Sequence, residues 1–152
     1  MNYWIFVAKK RKNDDMSAEE KIALRSKYNY WGFPPRTSNS KALKKGDKVV
    51  FYLCSPVMAF AADAELKSDL RHLSESEKQK LEYPYFSNSD AKWGVDLASF
   101  NRWEAYKNIK QLKEKLEFIK NKEKWGQYIR RSIRSIEKED YKTIMDTSIR
   151  DN

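Results

Sequence analysis

The chain has 152 residues and a mass of 18.1 kDa, which fits one domain with little room for a second core. Its 5 Trp, 9 Tyr and 7 Phe are too many for a disordered chain, although charged residues reach 35% and the net charge is +9. A single cysteine, Cys54, and a single histidine, His72, allow no internal disulfide and too few soft ligands for a structural zinc, which nearly excludes Cys/His catalysis and transition-metal chemistry.

Asn2 to Ala8 is a dense β-branched and aromatic run, the pattern of a strand buried on both faces. After a polar connection from Lys9 to Asp15, Ser17-Ala-Glu-Glu20 has the form of a capping box, and the helix it opens would place Ile22, Ala23 and Tyr30 on its apolar face. Trp31 to Arg36 reads as an ordered aromatic loop, because Pro34 and Pro35 break the helix and push Phe33 out of helical space. Lys44 to Asp47 is a turn, Lys48 to Leu53 a second buried strand, and Met58 to Leu66 its hairpin partner, with small residues that permit close approach.

Ser74 caps a short charged helix ending near Leu81, and Tyr83 to Phe86 reads as a loop with exposed aromatics. Trp93 to Trp103 alternates as a strand, and Asn108 can cap a helix over Ile109 to Phe118. Tyr128 to Ile136 suits either a short irregular strand or a helical turn, and Glu137 to Ile144 is a final helix opened by acidic residues. Strands scattered among helices give an α+β domain on a small curved sheet.

Residues 1–50 carry 12 basic and 5 acidic side chains, residues 51–99 carry 5 and 8, and residues 100–152 carry 14 and 9, so both ends are basic and the middle is not. Such a surface suits a polyanion, since each Lys or Arg laid on a phosphate releases a counterion; lysine excess for solubility is the bland alternative, and the aromatic excess favours the first. The longest apolar stretch falls far short of the roughly 20 residues of a membrane helix, and the N-terminus lacks a signal-like run, so a cytoplasmic protein with no membrane partner and no cofactor is expected.

The order of "YWIFV", "WGFPPRTSN", "KKGDKVVFYLCS", "AFAADAEL", "KWGVDL" and "IRRSIRSIEKEDYKTI" resembles the EVE family of the PUA-like superfamily nearly end to end. The resemblance implies a curved, partly open β-barrel flanked by helices, related to YTH readers, over residues 1–146, with 147–152 as a tail. It also implies a pocket for a flipped modified base, such as methylated adenine or cytosine, in DNA or RNA. Family members occur alone and as recognition domains of McrB-like, modification-dependent restriction systems, so a downstream motor or nuclease domain is a possible partner.

Carried onto this chain, the family pattern makes Trp31 with Gly32 one wall of the pocket, against the alternative of a core ring, and Trp93 the opposite wall, against packing beneath the sheet. Arg36 and Asn39 are the donors that follow, Tyr52 and Ser55 close the rim, and Arg130 is the guanidinium for a base edge or phosphate. Lys44, Lys45, Lys120, Lys124, Arg131 and Arg134, with Lys122, would track the backbone. Trp4 and Trp103 read as core, Trp125 as rim, His72 as merely exposed and Cys54 as a small hydrophobe. A rival reading is an ASCH-like amide hydrolase, for which Lys9, Asp47 and Glu65 are the residues available; a protein-interaction adaptor is a third.

Overall fold

The computed structural model describes residues 1–9, 17–33, 37, 39–82 and 92–148. At its centre β1 (Tyr3–Ala8) and β3 (Lys48–Leu53) pair in parallel, from Tyr3 opposite Lys48 to Ala8 opposite Leu53. Successive side chains of a strand leave on opposite faces. Trp4, Phe6, Val49, Phe51 and Leu53 therefore build one core, while Ile5, Val7, Val50 and Tyr52 build a second on the other side. That two-sided burial is why both strands read as unbroken apolar runs.

β4 (Ala59–Leu66) runs antiparallel to β3, and the long β6 (Trp93–Asn108) antiparallel to β4. β2 (Tyr30–Phe33) and β5 (Arg71–His72) both pair with the start of β6, and β7 (Ile133–Ile136) lies antiparallel on the free side of β1. The spatial order is β2-β6-β4-β3-β1-β7, with β5 off this path. Two strands stand between β2 and β3, yet the Trp31 ring on β2 lies 5.0 Å from Phe51 on β3 and 5.7 Å from Phe6 on β1. The sheet must curl for these rings to meet, which makes the α+β half-barrel that the family resemblance implied. Register shifts opposite Phe60 to Glu65 supply the bend, and Ala59, Ala61, Ala62 and Ala64 keep its inside narrow.

The helices close the barrel. α1 (Ala18–Tyr28) starts on the expected capping box, with Ser17 Oγ accepting from Glu20 N at 3.1 Å. α2 (Glu75–Glu82) starts on Ser74, whose Oγ accepts from Glu77 N at 3.1 Å. α3 (Ile109–Leu112) and α4 (Lys138–Asp146) cover the second core. The turn entering β3 is held by the buried Asp47 carboxylate, which accepts from Asn2 N (2.9 Å), Trp4 Nε1 (2.9 Å) and Lys44 N (3.0 Å).

Several expectations change. The segment at Trp31 is a strand, not a loop, because its backbone pairs with β6, Trp31 opposite Val95. Tyr30 belongs to that strand rather than to the apolar face of α1: Asn29 turns left-handed at φ 60° and ends the helix, and Ala23 is exposed while Ala18, Lys21 and Ile22 are buried. The helix from Ile109 stops at Leu112, followed by a 3₁₀ turn over Lys113–Lys115. The reason is tertiary: Asp140 on α4 accepts from Glu117 N (2.8 Å) and Phe118 N (2.9 Å), capturing donors that helix continuation would need. β6 runs on to Asn108, because β4 pairs with it as far as Ala59. The 128–136 segment resolves into the end of a 3₁₀ turn (Trp125–Tyr128) and β7. The loop expected at Tyr83 to Phe86 lies outside the described residues.

Candidate functional site

The curl of the sheet leaves a cleft of about 60 Å³ where the end of β1, α1, β2 and the approach to β7 converge. β1 and its exit contribute Val7, Ala8 and Lys9; β2 contributes Trp31, Gly32 and Phe33; Ser132 enters from the chain just before β7. α1 contributes Lys21 and Arg25, whose i, i+4 spacing puts them on one face of the helix. Lys21 is 8% exposed and donates from Nζ to the Lys9 carbonyl at 2.6 Å. The Arg25 guanidinium sits 4.6 Å from the centre of the Trp31 ring. A cleft that combines an aromatic ring, three cations and the backbone at Gly32 suits a planar ligand attached to an anion.

A larger cavity of about 610 Å³ lies between Met1 to Trp4, Ala42 and residues 135–138. It offers less to a polyanion. Glu137 lines it beside Lys138, so its one side-chain cation has a carboxylate neighbour in sequence, and the Trp4 indole is tied to Asp47.

Of the residues singled out from sequence, the structure brings Trp31 and Gly32 into the cleft. Trp31 is at once its wall and a core ring, only 4% exposed and packed on Phe6 and Phe51. Trp93 lies opposite Phe33 in register, but its ring stacks on His72 at 3.6 Å, so His72 is exposed yet covered on one face. Tyr52 is 2% exposed in the second core, its ring 5.2 Å from Phe60, and burial pushes its hydroxyl pKa up. Ser55 is exposed in the β3–β4 turn, and Asn39 is exposed at φ 66° ahead of a 3₁₀ turn; neither lines the cleft. Arg36 lies outside the described residues. Arg130 is exposed two residues before Ser132.

Lys44, Lys45, Lys120, Lys124 and Arg131 are exposed, and Arg134 is half-buried on β7. Lys122 is engaged, donating to the Leu116 carbonyl at 2.7 Å. Cys54 is half-buried, and burial raises its thiol pKa. Trp4 is core, Trp103 donates from Nε1 to Asp63 at 2.8 Å, and Trp125 packs on the second core.

The residues available for a hydrolytic site do not converge. Lys9 follows the end of β1, opposite the end of β3, while Asp47 precedes the start of β3, so six extended residues, roughly 20 Å, separate them. Glu65 pairs with Lys48 at 3.1 Å, at the Asp47 end.

Sequence reasoning passed over Lys21, Arg25 and Ser132. The capping box followed by basic residues at i, i+4 on α1 was the one available signal for the first two; Ser132 had none, since only the β1–β7 pairing brings it to the cleft.

Residues 2–147 match the family model described as EVE domain. The chain is 31% identical over 157 residues to UPF0310 protein PYRAB08750 of Pyrococcus abyssi, covering 95% of this chain and 97% of that one. Among solved structures it is similar to human THYN1 protein in complex with 5-methylcytosine-containing DNA, at a TM-score of 0.62 and 12% identity over 95% of this chain and 96% of that one. It is also similar to ASCH from Zymomonas mobilis, at a TM-score of 0.59 and 15% identity over 95% and 94%.

Proposed function

The chain belongs to the EVE domain family, and on that premise we propose that it is a nucleic-acid reader that admits a flipped modified base to the cleft under Trp31. The observation that carries the reading is the meeting of one aromatic face with Lys9, Lys21 and Arg25 in a single cleft. A base taken from its stack gains roughly 1–3 kcal/mol from an aromatic face, and the cations answer the phosphates beside it. The THYN1 likeness, to a protein in complex with 5-methylcytosine-containing DNA, favours methylated DNA over RNA as the first ligand to try.

At about 60 Å³ the cleft has room for a few waters, so a base enters by displacing Arg25 from the ring. Arg130, exposed two residues before Ser132, is the proposed contact to a base edge or its phosphate, and the exposed Arg131 is the proposed contact to the backbone. A downstream motor or nuclease belongs to the same proposal.

The test is a panel of matched oligonucleotides, DNA and RNA, plain and carrying N6-methyladenine, 5-methylcytosine or 5-hydroxymethylcytosine, titrated across a salt series. The reading expects a preference for one modification and affinity that falls steeply with salt. Equal affinities throughout, or affinity indifferent to salt, would defeat it.

A further inference from the structure

We propose that Arg134 is a phosphate-binding residue, its guanidinium held ready between the rings of Phe118 and Tyr128 for one backbone phosphate of a bound strand. The inference rests on the nucleic-acid reading above and adds which half-buried cation is built for the strand.

Arg134 lies opposite Ile5 in the β1–β7 register, on the side of the second core, and is half-buried there. Its guanidinium carbon is 4.8 Å from the centre of the Phe118 ring and 6.0 Å from that of Tyr128. Both rings are anchored: Phe118 N donates to Asp140, and the Tyr128 hydroxyl accepts from Asn121 N at 3.1 Å. Arg134 Nε is buried and has no hydrogen-bond acceptor.

Among the described residues Arg134 takes part in no ion pair, and Asp140 spends both of its carboxylate oxygens on backbone donors of the 117–118 turn. Arg131 adds a like charge, and burial first, then Arg131, push the Arg134 pKa down. Arg134 is thus a half-buried cation with an unpaired Nε, opposed by burial and Arg131 and balanced only by the nearby Tyr128 and Asp140 without an ion pair, which adds little to the folded chain. Its planar fork is the geometry that takes two oxygens of a phosphate at once. Ser132, two residues earlier in the chain, lines the cleft under Trp31.

The experiment compares the unaltered chain with Arg134→Met, which keeps an apolar stem between the rings and removes the charge. Each is titrated with a short single-stranded DNA by fluorescence polarisation from low to physiological salt, and each is melted without ligand. The expected result is a loss of roughly tenfold in affinity at low salt and a salt slope shallower by about 0.7, with a melting temperature unchanged or raised. An unchanged affinity and slope, or a lower melting temperature with the slope kept, makes Arg134 a structural brace and overturns the proposal.

Should Arg134→Met fail to fold, the Nε–H resonance of Arg134 in the unaltered chain decides: it shifts on titration with the DNA, or the proposal falls. If the unaltered chain binds no oligonucleotide in a salt-dependent way, the reader function fails and this inference with it. Binding that persists in Arg134→Met without change defeats this inference alone.

Discussion

The Arg25 guanidinium covers one side of the Trp31 ring at 4.6 Å, while Phe6 and Phe51 hold the ring on the core side at 5.7 and 5.0 Å. Among the described residues, a cation thus already lies over the ring that a ligand would have to reach. Trp31→Ala therefore tests the core rather than the cleft, and is expected to cost about 3–5 kcal/mol in urea unfolding. Arg25→Ala vacates the ring and spares the core. It should lower affinity for modified and plain oligonucleotides alike by removing one cation, while raising the ratio between them, because only the inserted base has to displace Arg25. A ratio that stays the same would mean the base stacks elsewhere.

Gly94 marks where three backbone segments crowd together. A Cβ there would stand 2.6 Å from the Trp31 carbonyl and 2.8 Å from Leu73 Cδ2. The carbonyl is main chain and cannot rotate away, so Gly94→Ala must push β2 off β6, where Gly32 and Gly94 are register partners. A loss of roughly 2 kcal/mol or more is expected, with faster amide hydrogen exchange confined to residues 30–33 and 93–96.

Asp47 is the one acceptor for three donors. Asp47→Ala leaves Asn2 N, Trp4 Nε1 and Lys44 N without it, and unsatisfied buried donors cost about 1–3 kcal/mol each without adding fully. The expected total is roughly 3 kcal/mol. Trp4→Phe removes one donor and keeps an aromatic ring, so it should cost less than Asp47→Ala in the same denaturation series.

Glu77 links α2 to the barrel through Arg71, which also pairs with Asp96 at 2.7 Å. Hydrogen bonds from Arg71 hold the Glu77 carboxyl at about 2, against an ordinary value of 4.5, with burial opposing them. A carboxyl depressed in the folded state stabilises fully above its unfolded value and loses that contribution as pH falls from about 4.5 toward 2. The melting temperature should decline through that window, and Arg71→Gln should flatten the decline. An acid limb of the same slope in Arg71→Gln would show that other carboxylates carry it.

What the sequence alone determined is what its local signals encode. The continuous runs at Tyr3–Ala8 and Lys48–Leu53 could be satisfied only by burial on both faces, and Ser17 and Ser74 cap their helices through donors three residues away. The ordered motifs that resembled the EVE family spread along the whole chain, and the family match over residues 2–147 follows them. Elements with little local signal went unread: β5 has two residues, and β2 has four beside two prolines. The end of α3 was unreadable for another reason, since the Asp140 carboxylate that captures the Phe118 donor lies 22 residues beyond it.

The site was decided by the curl of the sheet. Lys21 and Arg25 on α1, Trp31 on β2 and Ser132 before β7 are separated by up to 111 positions, and no spacing rule joins them. They meet because β2 folds back over β1 and β3, and because β7 adds to the far side of β1. The same alternation sent Tyr52, next to Phe51 in sequence, into the opposite core, since neighbouring residues of a strand point to opposite faces.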